Sequence, residues 1–176
     1  SEIRTSLTTR EAEAGDRVLA RARAISDKMV EVDSATDEGL AMVRFSPFMR
    51  KERTHMQDLS ALAEPLDRLT RNVRVMARRA AVALWAEEEV PSGYLTLMDQ
   101  VIDAVGECSS ELAAGRLPDK TRDRVLAIGE TQENLELVNS VSAVVILAQL
   151  RSILVDLLEI SGMPYAEARA HLPDRR

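Results

Sequence analysis

Residues 59–83 read LSALAEPLDRLTRNVRVMARRAAVA, and this stretch decides the fold. Leu59, Leu62, Leu66, Leu69, Val73, Met76, Ala80 and Ala83 recur at alternating steps of three and four. Such positions share one stripe of an α-helix, a coiled-coil-like seam, whereas a strand needs apolar residues at every second position. Pro65 falls inside the pattern, where it removes one backbone donor and predicts a kink in the first third of the rod.

Upstream, Thr8 and Glu11 have the spacing of a capping box and predict a helix start. Val18, Ala22, Ile25, Met29 and Val32, then Leu40 and Val43, carry its apolar stripe until Ser46-Pro47 ends it. Downstream, Glu87-Glu88-Glu89 are poorly placed for a helix C-terminus, which favours cations, so residues 87–93 read as a solvated connector. Tyr94, Met98, Val101, Val105, Cys108 and Leu112 define a third helix that stops at Gly115 with Pro118 just beyond. A shorter helical segment carries Val125 and Ile128 to about Glu133. The next helix, expected from Asn134 to Ile160, is apolar around most of its circumference and therefore central, and Gly162-Met163-Pro164 ends it. A short helix from Tyr165 to Leu172 is closed by Pro173. The expected architecture is all-α: one domain over 1–176, an antiparallel bundle of four long helices plus one or two short helices.

Composition agrees. At 176 residues the chain holds one core, and its 45% hydrophobic and 30% charged residues exclude a disordered tail. Aromatic residues are only 3%, and no alternating run of strand formers occurs, so no sheet is expected. The net charge of -6 argues against a nucleic-acid partner. Residues 44–79 run the other way, with nine Lys or Arg against four Asp or Glu. The single cysteine, Cys108, cannot form an intramolecular disulfide and suits a reducing compartment. Leu137 to Leu150 is uncharged but falls short of the roughly 18–20 apolar residues of a span, so this piece is not expected to cross a membrane.

Few constellations suggest chemistry. The two histidines, His55 and His171, lack the carboxylate spacing of a bundle metal site, and neither a phosphate loop nor a nucleophile elbow occurs. Cys108 falls at a core position. No metal, no cofactor and no catalytic residue is expected. Arg71, Arg74 and Arg78 share one helix face beside the seam, either as a solvated surface or as an anion-binding site. Asn139, Ser142, Gln149, Ser152 and Asp156 form a polar stripe on the greasy central helix. A buried carboxylate needs a partner, so Asp156 is expected to pair with Arg151 or with an arginine of the second helix. The pair either fixes the helix register or belongs to a ligand pocket.

Three strings, Arg44 to Pro47, Leu66 to Arg79 and Gln149 to Leu158, together resemble the C-terminal soluble region of the fusaric acid resistance family, the aromatic acid exporters, in its actinobacterial form. The resemblance covers most of the chain. It implies a cytoplasmic helical domain on the inner face of a bacterial inner membrane, part of an efflux protein for aromatic carboxylic acids and not an enzyme. Expected partners are the remainder of its own transmembrane protein, sister subunits in a homo-oligomer, and small aromatic carboxylates. Transmembrane segments are absent from these residues, so no translocation residue is assigned. Two alternatives stay open: a small all-helical enzyme of the chorismate mutase type, whose arginines grip a dicarboxylate, and a free-standing helical adaptor.

Overall fold

A computed structural model describes residues 2–9, 16, 17, 19, 20, 24, 50–131, 135 and 138–172. Among them lie helices α1 (Glu2–Thr9), α2 (Arg50–Trp85), α3 (Ser92–Ala113), α4 (Asp119–Thr131), α5 (Val141–Ile160) and α6 (Tyr165–His171), and no strand. The fold is all-α.

The decisive seam behaves as its spacing requires. Met76, Ala80 and Ala83 are buried, and Leu62, Leu66, Leu69 and Val73 pack against the same core from the more open end of α2. Helix α2 runs on through Pro65. Helix α5 is the hub: it packs against α2, α3, α4 and α6, and Ile146, Leu150, Leu154 and Leu158 have essentially no solvent contact. It is also the one helix among the described residues long and apolar enough to span a membrane, and most of that apolar surface is buried against protein, with Val141 and Val144 left exposed. Helices α2 and α5 run antiparallel, because Glu88, just past the end of α2, meets Ser140 and Ser142 at the start of α5, while Arg68 meets Glu159 near its end. Helices α3 and α4 form a hairpin folded onto α5, and α1 lies against α2 and α3, with Arg4 Nε 3.1 Å from the Asp99 carboxylate.

The helix ends follow local chemistry. Gly115 (φ 66°) and Gly162 (φ 87°) adopt left-handed backbone, which costs glycine little. At each, the next residue's amide reaches back to the helix: Arg116 to the Glu111 carbonyl and Met163 to the Leu158 carbonyl, both at 3.0 Å. The start of α4 is capped from outside: buried Glu111 on α3 accepts from the Lys120 and Thr121 amides at 3.3 and 3.1 Å and from the Thr121 hydroxyl at 2.9 Å. Burial opposes the charge on Glu111, but these donors outweigh it and hold the carboxyl below its usual range.

Three expectations are corrected. Thr8 does not start a helix; it lies inside α1, where its hydroxyl donates to the Arg4 carbonyl at 2.9 Å, the in-helix alternative to capping. Most of the long helix predicted after it, with its Ser46-Pro47 stop, lies outside the described residues. The central helix starts at Val141, not Asn134, because Ser140 has extended backbone and its hydroxyl accepts from the Ala143 amide at 3.2 Å, which makes it the N-cap. Asn139 is therefore exposed ahead of the helix and does not belong to the polar stripe. Nor is Glu88 merely solvated. It accepts from the Ser140 hydroxyl at 2.5 Å and from the Ser142 hydroxyl and amide at 3.0 and 3.3 Å, placing its charge at the positive end of α5. The Ser140 and Ser142 hydroxyls, against the effect of burial, hold its pKa down.

Candidate functional site

Helix α5 leaves one ionisable side chain buried in the core, Asp156, at 3% exposure. A charge there requires partners, and α2 supplies them. Asn72 Nδ2 donates to Asp156 Oδ2 at 2.7 Å, and Arg68 Nε donates to Oδ1 at 3.3 Å. These two α2 residues are four apart, so one face of α2 presents both to the same carboxylate. Arg68 is a hub in its own right. Its Nη2 donates to Glu159, its Nη1 to Glu64 Oε1 at 2.6 Å, and its guanidinium carbon lies 5.6 Å from the centre of the Tyr165 ring. Burial pushes the Asp156 pKa up to about 6 against the pull of Asn72 and Arg68. Burial also works against the charge of Arg68, but hydrogen bonding to Glu159 and Asp156 prevails and raises its pKa.

The turn at Gly162 brings α6 back beside α5, with Ala168 and Leu172 buried. Between α2, α5 and α6 this leaves a cleft of about 520 Å³. Arg68, Asn72, Arg151, Ser152, Asp156 and Arg169 line its polar part, and Val144, Leu147, Ala148, Val155 and Leu172 its apolar part. The volume lies in the range of small-molecule sites. Among these groups the Ser152 hydroxyl donates to the Ala148 carbonyl at 3.0 Å, as a helix-interior serine does, and shows no base beside it that would activate it. Cys108 is distant in role as well: it is buried in the core, and burial pushes its thiol up to about 11. What the cleft offers is charge recognition.

The polar stripe expected on α5 divides. Ser142 binds Glu88, Gln149 leaves its buried Oε1 without a donor among the described residues, and Asp156 joins α2. The partner of Asp156 is Arg68 and not Arg151. Arg151 instead sends Nη2 to the Leu172 carbonyl at 3.4 Å, while its buried Nε has no acceptor among the described residues. Arg71, Arg74 and Arg78 are exposed on α2, and Arg71 is engaged by Asp67 one turn earlier. None of the three lines the cleft. The arginines brought together are Arg68, Arg151 and Arg169. The signal for the first was its four-residue offset from Asn72, both facing a buried acid; Arg169 gave none, because its place depends on how α6 folds back.

The fold and cleft define an all-α bundle with an arginine-lined cleft at its α2–α5 seam. No family model matches the chain, and no solved structure matches it. An uncharacterised protein of Corynebacterium glutamicum is 29% identical over 181 residues, which take in 97% of this chain and 46% of that protein. The chain thus spans about half the length of the curated relative it matches.

Proposed function

We propose that this chain is the cytoplasmic helical domain of a bacterial inner-membrane exporter of the fusaric acid resistance type, with an assembly, gating or accessory role. The observation that carries the reading is the coverage of the match: nearly all of this chain aligns with less than half of a longer bacterial protein, as a unit within a larger polypeptide would. The three strings that resemble the exporter family add to it, since two of them supply the α2–α5 contact: Arg68 and Asn72 from one, Asp156 from the other. Exposed Val75, Trp85, Val141 and Tyr165 offer apolar surface for the rest of such a protein or for sister subunits. Fractionation of cells expressing the whole reading frame tests the proposal. Recovery in the inner membrane, with sensitivity to aromatic acids when this domain is deleted, is the expected result; a product found wholly in the soluble fraction would sink it.

One observation favours the mutase reading, namely that three arginines line a single cleft. Against it, Arg68 already serves three carboxylates of the protein itself. Absence of any acceleration of chorismate rearrangement by the purified chain removes that reading.

A further inference from the structure

The cleft between α2, α5 and α6 is polarised along its length. Along α5 its lining runs from Val144 to Asp156, and the Val144–Val155 stretch alone corresponds to about 16 Å at 1.5 Å per residue. The stretch near Val144, Leu147 and Ala148 is aliphatic, whereas Arg151, Ser152 and Asp156 of α5, with Arg68 of α2 and Arg169 of α6, make the rest mainly polar, with Val155 and Leu172 among them. Among the described residues three guanidiniums stand there against one lining carboxylate, and that carboxylate is held by Arg68 and Asn72. Arg68 is itself matched by Asp156, Glu159 and Glu64. Arg151 Nη2 makes a long contact to the Leu172 carbonyl, and its Nε meets no acceptor among the described residues. Arg151 is half-buried, with Nε closed off inside the protein and Nη2 on the Leu172 carbonyl, so what it offers the cleft is the charge of its guanidinium. Among the described residues the one aromatic ring of the cleft, Tyr165, already faces Arg68, and the walls beside Arg151 are aliphatic.

We propose that this cleft binds an aliphatic monocarboxylate of medium chain length, its carboxylate at Arg151 and its chain lying along α5 toward Val144. The site does not depend on the exporter assignment, because the residues that form it all belong to this chain. Calorimetric titration of the 176-residue chain with sodium octanoate tests it, with benzoate and octanol as comparison ligands. Octanoate is expected to bind saturably at one site, with benzoate and octanol each at least tenfold weaker. Arg151→Gln should weaken octanoate by tenfold or more. Val144→Asp, at a position already 40% exposed and therefore tolerant of a polar side chain, should do the same by placing a charge in the path of the chain. Arg71→Gln, outside the cleft, should leave binding unchanged. Failure of octanoate to saturate at millimolar concentration, undiminished binding to Val144→Asp, or benzoate or octanol binding as tightly as octanoate would each overturn the proposal.

Discussion

Asp156 has its ordinary pKa near 3.9 in the unfolded chain and about 6 in the folded protein, so between those values the native state holds more protons. Its contribution to stability is therefore largest below about pH 4 and declines as pH rises to about 6, by up to about 3 kcal/mol at 1.36 kcal/mol per unit. Glu88 and Glu111 act in the opposite sense: their lowered pKa values stabilise the fold above about pH 4.3, and that stabilisation is lost as pH falls through the folded values. Comparison of wild type with Asp156→Asn isolates the first effect. Thermal melts from pH 4 to 7 should show the wild type losing ground to the variant as pH rises, and a constant difference across that range would contradict the assignment. Arg68→Met is the harsher change, because it leaves Asp156 buried with Asn72 alone; a loss of about 3–5 kcal/mol is expected in urea unfolding. Adding Asp156→Asn to Arg68→Met should recover part of that loss, whereas strict additivity would mean that the two groups do not interact.

Among the elements, the connections of α5 decide most. Ser140→Ala removes the N-cap and should cost about 1 kcal/mol. Glu88→Gln, measured in the Ser140→Ala background, should cost less than in the wild type, because the two side chains are bonded to each other. Gly162→Ala tests the other end. The added methyl meets only ordinary contact, 3.6 Å from Arg122 Nη2, so the expected loss of about 1–2 kcal/mol in chemical denaturation reflects left-handed backbone alone. The seam of α2, the Gly115 and Gly162 stops and the central place of α5 were legible in the sequence because each depends on residues within a few turns of one another. The start of α5 was not. Ser140 is one of several polar residues near Asn139, and what selects it is Glu88, 52 positions away. Likewise, three consecutive glutamates looked unfavourable for their own helix, and local pattern could not show that the middle one serves another.

At the scale of the whole molecule, the need of Asp156 for an arginine was legible and the identity of that arginine was not, since Arg151 and Arg68 both satisfied the charge argument and only the antiparallel register of α2 and α5 separates them. Arg71, Arg74 and Arg78 are exposed on α2 and do not line the cleft, which formed around other residues. Tyr165 and Arg169 of α6 line that cleft together with Leu172, the residue that caps the helix and is 3% exposed. Removing residues 165–176 takes away buried Ala168 and Leu172 and should destabilise the bundle by at least about 3 kcal/mol while leaving its unfolding cooperative; urea titration followed by helical signal checks both.

The α2–α5 pairing joins residues 91 apart, with the α3–α4 hairpin in between. Hairpin contacts form between near neighbours and close cheaply, whereas α2 and α5 meet only after a long stretch of chain has been brought round, at greater entropic cost. The cleft is consequently expected to form after the hairpin, and a molecule that has completed only its hairpin has no such cleft; occupancy of the cleft would thus mark chains in which α2 and α5 have met.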